Sequence, residues 1–176
     1  MPKVKRLFAG LALALSLAAC ATEGVQSGEQ IELTVPQGPV VLEVRGAIAN
    51  ANSDAVARFD MAMLQALPAV RLKTSTSVTD GAHVFEGVLV RDLLDRVRAK
   101  GATVIATAHN DYAVEIPMND FRRFDAIIAY RMDGEPLSRA DKGPLWIVYP
   151  RDQKAELQDI RYDYRWVWKL AALEVR

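Results

Sequence analysis

Three apolar runs limit the fold most: ATVIATA at 102–108, DAIIAYRM at 125–132 and GPLWIVYP at 143–150. Each is too short for a buried helix, rich in β-branched or aromatic residues, and bounded by turn residues, which is the pattern of a strand. ATVIATA is expected to be buried on both faces. IELTV (31–35), VVLEVRG (40–46), VRLKTST (70–76), YAVEIP (112–117) and RWVWKLAALEV (165–175) read as further strands. A Pro-Gln-Gly-Pro turn separates the first two of these, and Asp133-Gly134 marks a hairpin. Helical spacing is confined to three places. DMAMLQALP runs from Asp60 and stops at Pro68, and MNDFRRF (118–124) is a short helix or turn. VLVRDLLDRVRAKG sets Val88, Leu89, Leu93, Leu94 and Val97 on one face, with Gly101 as its expected C-terminal cap. Many strands that do not alternate regularly with helices point to an α+β domain, not a doubly wound parallel sheet.

The N-terminus reads differently. Lys3, Lys5 and Arg6 precede LFAGLALALSLAA, an apolar stretch too short to span a bilayer. It ends in Leu17-Ala18-Ala19-Cys20, which resembles the lipobox of a bacterial lipoprotein precursor. The expected organisation is a lipoprotein signal peptide over 1–19, a lipidated tether over 20–30 (small, polar, Gly-containing) and one domain over 31–176. Lipidation at Cys20 implies a periplasmic, lipid-anchored protein, and Ala21 in place of Asp favours the outer membrane. Cys20 is the only cysteine of the 176 residues, so the expected domain has neither a disulfide nor a thiolate ligand. Removing 1–19 takes away three positive charges and turns a formally neutral chain into one of net charge −3. No basic face stands out, which argues against a nucleic-acid partner.

Candidate chemistry lies in polar loops. TSTSVTDGAHVFEG (74–87) is too polar for core, and Ser75, Ser77 and Asp80 are its candidate ligand contacts. AHNDYAVEIP (108–117) places His109, Asn110, Asp111 and Tyr112 directly after an apolar strand. An Asx turn is the ordinary reading of such a group. Two histidines, His83 and His109, without a cysteine make no convincing metal site. Trp146 and Tyr149 are three apart and would face opposite ways in a strand, one to the core and one to a cleft mouth. Trp166 and Trp168 share a face, and core is their ordinary reading. No Ser-His-Asp order, phosphate loop or paired-carboxylate arrangement is present.

Four segments in order carry a resemblance: FEGVLVRDLL (85–94), AHNDYAVEIP (108–117), DGEPL with KGPLWIVYP (133–150), and WVWKL (166–170). Together they resemble the oxidoreductase molybdopterin-binding domain, the sulfite-oxidase-like fold, over roughly residues 40–176. In that family's enzymes a cysteine about a dozen residues ahead of the W/F-x-G binds molybdenum. The matching position here is Ser75, or Ser77 under a shifted alignment. A serine hydroxyl is a harder and far less acidic donor than a thiol. Trp146 stands where the enzymes tend to carry an Arg, which trades a charge-assisted anion contact for an aromatic face.

The resemblance therefore implies a cysteine-lacking, periplasmic subgroup: a non-catalytic module that binds a molybdenum-free pterin and regulates a membrane-bound sensor kinase or cyclic-di-GMP enzyme. The expected contacts are Ser75, Ser77, Asp80, His109, Asn110, Asp111, Tyr112, Trp146 and Tyr149. Two alternatives stand beside it. One is a molybdopterin-dependent oxidoreductase with a non-cysteine ligand, and the other a structural or interaction lipoprotein with a vacant cleft.

Overall fold

Alternating apolar residues can bury one face only if a second layer covers it, and here two sheets cover each other. The computed structural model describes residues 32–176. The expected signal peptide, Cys20 and the tether lie outside the described residues. In chain order the elements are β1 (Val40–Gly46), β2 (Ala57–Asp60), α1 (Met61–Gln65), β3 (Ala69–Ser75), β4 (Ala82–Leu89) and α2 (Val90–Arg96). They continue with β5 (Thr103–Ala108), β6 (Ala113–Pro117), α3 (Met118–Arg123), β7 (Ile127–Met132), β8 (Glu135–Pro136), β9 (Trp146–Val148), α4 (Ile160–Asp163) and β10 (Leu170–Val175). Two 3-10 turns, Arg151–Gln153 and Ala155–Gln158, lie between β9 and α4.

One sheet runs β2-β1-β10-β5-β6 and the other β3-β4-β7-β8, with β9 also on β7. The pair β1–β10 is parallel, Glu43 standing opposite Ala172; the other pairs are antiparallel. Mixed sheets with a few short helices make the α+β domain that the sequence pattern predicts. The sheets meet over one apolar core that includes Leu42, Val44, Phe59, Phe85, Leu94, Ile128, Trp146 and Leu173.

Local signals explain several junctions. Asp60 caps α1, its Oδ1 accepting from the Met63 N–H at 2.9 Å, while Oδ2 accepts from the Gln37 and Gly38 N–H groups at 2.8 Å. One carboxylate thus fastens the Pro-Gln-Gly-Pro turn to the helix start. These backbone bonds, Met63 first and Gly38 next, outweigh desolvation and hold its pKa below the usual carboxylate value. The β7–β8 hairpin has positive φ at both Asp133 (53°) and Gly134 (89°), the Asp-Gly geometry of a tight hairpin. Gly87 is required by a close approach, because a Cβ there would lie 2.1 Å from the Ile128 carbonyl oxygen.

Five expectations need correction. Residues 32–35 form no strand; Leu33 is buried, but Val35 is mostly exposed, so one core contact accounts for the apparent alternation. In β5 only Val104, Ala106 and Ala108 are fully buried, while Thr103, Ile105 and Thr107 stay half-exposed. An antiparallel sheet can leave one face partly open. Val88 and Leu89 belong to β4, paired with Ile128 and Ile127, and α2 starts only at Val90. The left-handed residue after α2 is Arg98 (φ 53°), while Gly101 is needed where a Cβ would meet the Arg176 carbonyl at 2.3 Å. Finally, β10 begins at Leu170. Residues 166–169 are instead a crossover: the Ile147 N–H donates to the Val167 carbonyl (3.0 Å) beside one sheet, and Lys169 turns at φ 53° into the other.

Candidate functional site

The crossover opens a hollow. A cavity of about 320 Å³ is lined by Ala108, Asn110 and Tyr112 from the end of β5 and the turn after it. Asp163, Tyr164, Trp166 and Trp168 line it from α4 and the crossover, and Val78 from the β3–β4 loop. Its volume is at the lower end of the roughly 300–1,000 Å³ usual for small-molecule sites. Tyr112 (45 %), Tyr164 (47 %) and Trp168 (39 %) are among the most exposed large apolar residues of the domain, and all three converge here. Such convergence marks a binding surface more strongly than scattered exposed aromatics do.

The two walls are tied together. The Tyr112 hydroxyl donates to the Tyr164 carbonyl at 2.9 Å, which closes the β5–β6 turn against the end of α4. Within the turn the Ala108 N–H donates to the Tyr112 carbonyl (2.8 Å), and the Asp111 N–H to the Ala108 carbonyl (3.1 Å). Asp111 sits at φ 63°, a conformation that Asp tolerates better than most residues. Behind α4, the Arg165 guanidinium pairs with the buried Asp120 and lies over the Tyr162 ring at 4.7 Å. The Tyr149 hydroxyl donates to the same Asp120 carboxylate at 3.3 Å. Burial first, and the charge of Asp120 next, push the Tyr149 hydroxyl well above its usual range, so it stays a neutral donor. Burial lowers the Arg165 pKa, but bonds to the Tyr164 hydroxyl and Asp120 more than offset this and leave it raised.

Two lining residues carry unmet polar atoms. Asp163 Oδ1 and Trp166 Nε1 are both buried, and neither has a hydrogen-bond partner among the described residues. An orphan of this kind costs about 1–3 kcal/mol. Both residues line the cavity, but these two atoms lie behind its surface.

The other predicted residues fall elsewhere. Ser75 is committed: its N–H and Oγ both donate to Asp152, at 2.7 and 2.5 Å. The Ser75 hydroxyl first, then its N–H, hold Asp152 below the usual carboxylate range. Ser77 is exposed, and neither it nor Asp80 lines the cavity; of this loop only Val78 does. The loop hydroxyls bond one another, Thr76 Oγ1 lying 2.8 Å from Thr79 Oγ1 and accepting from the Val78 N–H at 3.1 Å. Asp80 offers its carbonyl to His83 Nε2 at 3.0 Å. Asp111 is exposed at the turn tip, and His109 lines a neighbouring hollow. Trp146 and Tyr149 are fully buried. The expectation that one of them lines a cleft mouth is corrected, because β9 is covered on both faces. Trp146 packs edge-on against Phe85 (5.3 Å) and Trp166 (6.4 Å).

Sequence reasoning missed Asp163, Tyr164, Trp166 and Trp168 as one wall. Its trace was visible in YDYRWVW (162–168), where an aromatic recurs at every second position. Among the described residues no group of three His, Cys, Asp or Glu is placed to hold a metal ion.

Comparison with known proteins agrees with this architecture. The family model for the oxidoreductase molybdopterin binding domain matches residues 45–155. That segment includes Ser75, Asn110 and Tyr112 and stops before the Asp163–Trp168 wall. No curated protein sequence matches the chain. Among solved structures, the crystal structure of the sulfane dehydrogenase SoxCD from Paracoccus pantotrophus superposes with a TM-score of 0.58 at 17 % identity, over 76 % of this chain. The chain spans 37 % of the length of that protein, and at this identity the likeness is one of fold.

Proposed function

Because the chain belongs to the oxidoreductase molybdopterin-binding domain family, we propose that the cavity between Tyr112 and Trp168 holds a pterin-type ligand and that the domain is a binding module, not a redox enzyme. Membership in the family implies a pterin-type cofactor; the site assignment and the non-catalytic role are our reading. The observation that carries it is the convergence of three exposed rings, Tyr112, Tyr164 and Trp168, on one cavity that Asn110 also lines. A pterin presents N–H donors and a carbonyl acceptor on one edge and a flat π-face on the other side of its chemistry. Tyr112, Tyr164 or Trp168 supplies a stacking face, and the Asn110 amide pairs with the polar edge.

The residues fit the organic part of a molybdenum cofactor better than the metal. Such a cofactor, when bound in an enzyme, supplies two-electron redox chemistry at molybdenum. At the position where the resemblance puts the metal-binding cysteine, Ser75 offers a hydroxyl already given to Asp152. The described residues contain no cysteine. The use we propose for such a module is to report ligand occupancy to a membrane-bound signalling protein, supported by the lipobox-like ending at Cys20 and by the resemblance to the cysteine-lacking subgroup.

Titration of the full mature chain with a tetrahydropterin, followed by tryptophan emission, tests the site. Binding in the micromolar range is expected. Absence of any response up to about 1 mM, roughly −4 kcal/mol, removes the proposal. Stoichiometric molybdenum in protein purified from its native host would overturn the non-catalytic half and leave the ligand site standing.

A further inference from the structure

The β3–β4 loop reaches the aromatic cavity through Val78, and its far end is held by a half-buried histidine. His83 Nδ1 lies 2.6 Å from Asp133 Oδ2, and Nε2 lies 3.0 Å from the Asp80 carbonyl oxygen. Both neighbours are acceptors. The Asp133 carboxylate also accepts from the Val84 N–H at 2.9 Å through its other oxygen. A neutral imidazole carries one ring proton, so it donates at one nitrogen and presents a lone pair at the other. Only the imidazolium donates to both partners at once.

The loop has little else to hold that end. Thr76 Oγ1 braces its first half, lying 2.8 Å from Thr79 Oγ1 and accepting from the Val78 N–H. After Asp80 comes Gly81 at φ 72°, with open space where a Cβ would stand, so no packing opposes a change of direction there. The Asp80–His83 bond therefore closes the loop across its most pliable residue.

Few charges surround the ring. β3 sets the buried, uncharged Thr74 opposite His83; the next residue, Ser75, engages Asp152, which Arg151 precedes in the 3-10 turn. Glu86 of β4 is shared by Arg71 of β3 and Arg131 of β7. Lys73, Asp80 and Glu135, all exposed, complete the charged residues of β3, the loop and β8. Among the described residues Asp133 alone forms an ion pair with the ring.

We infer that His83 is a proton-operated latch on the cavity wall. As imidazolium it ties Asp80 of the β3–β4 loop to Asp133 of the β7–β8 turn and fixes Val78 in place. On losing the proton it keeps the charge-assisted bond to Asp133, the stronger of the two. Nε2 then turns a lone pair toward the Asp80 carbonyl, and the loop end is released. The latch is closed below the titration of His83 and open above it. It concerns the wall and not the ligand, so it holds whether or not the cavity takes a pterin.

The test uses the ligand-free full mature chain. Imidazole nitrogen shifts follow His83 from pH 5 to 8, the range in which imidazoles ordinarily change charge. Amide exchange of residues 77–82, corrected for its intrinsic pH dependence, is read over the same range. Loop protection is expected to fall about fivefold, the weight of one hydrogen bond, with the midpoint of the ring titration, while protection in β1 and β10 stays level. In His83→Asn the loop should exchange at the faster rate throughout, with no step. Loop protection that stays flat while His83 titrates would overturn the latch, and so would a step that survives the substitution. An unchanged thermal midpoint shows that the variant is folded; if it is not, the coincidence of the two midpoints in the unaltered chain decides alone.

Discussion

Trp146 and Trp168 face each other across an isolated β-bridge, yet they stand in opposite situations. Trp146 is fully buried in a stack of edge-on rings with Phe85 and Trp166, whereas Trp168 is 39 % exposed on the cavity rim beside Tyr112 and Tyr164. The stack holds the two sheets together, and the rim offers ring faces to a ligand. Trp166 joins the regions, with its ring in the core and its residue on the cavity wall. The same residue type thus does two jobs within one short crossover, and what separates them is whether the opposite sheet covers the ring.

The largest effect should come from breaking the buried side. Trp146→Ala is expected to cost about 3–5 kcal/mol in urea denaturation, the range for removing a large ring from a packed core. Asp120→Ala should follow at about 2–3 kcal/mol, below the full cost of a broken buried pair because Arg165 keeps some access to water. A loss under about 1 kcal/mol would show that the pair does not anchor the crossover. Tyr149→Phe, which removes one bond to Asp120, should cost about 1 kcal/mol.

On the rim the order should reverse. Trp168→Ala is expected to change stability by no more than about 0.5 kcal/mol and to weaken pterin binding by about tenfold, the worth of one stacked ring. A Trp168→Ala chain that unfolds like Trp146→Ala, or binds as the unaltered chain does, would erase the distinction. Tyr112→Phe should keep the ring and lose only the bond to the Tyr164 carbonyl, about 0.5–1.5 kcal/mol.

The smallest effect concerns pH at the base of the β3–β4 loop. His83 Nδ1 lies 2.6 Å from Asp133 Oδ2, and its Nε2 lies 3.0 Å from the Asp80 carbonyl. The bond with His83, then that from the Val84 N–H, hold the Asp133 carboxyl below its usual pKa of 3.8. Because the folded value is depressed, this stabilisation is complete above the unfolded pKa and fades as pH falls through the folded one. Acid titration of stability should therefore show a component below about pH 4 that Asp133→Asn removes; an unchanged acid limb would exclude it.

Much of the framework was legible in the residues. The apolar run at 127–130 could only be a covered strand, Asp133-Gly134 could only be a tight hairpin, and VVLEVRG falls on β1 to the residue. The ordered motifs pointed to the family. Of the cavity, Asn110 and Tyr112 were legible because an Asx-type turn at a strand end exposes its side chains. Ser75 was legible as a position but not as a partner, since nothing in the sequence announces Asp152, 77 residues away.

By itself the sequence determined the strands, their turns and the α+β class, because these follow from local periodicity and backbone restriction. Only the tertiary structure decided which of two tryptophans is core and which is wall. Alternation says that two residues share a face, but not where the opposite sheet ends. It also decided that Asp163 and Trp168 stand near Asn110, because the crossover at 166–169 brings together segments that no local rule relates.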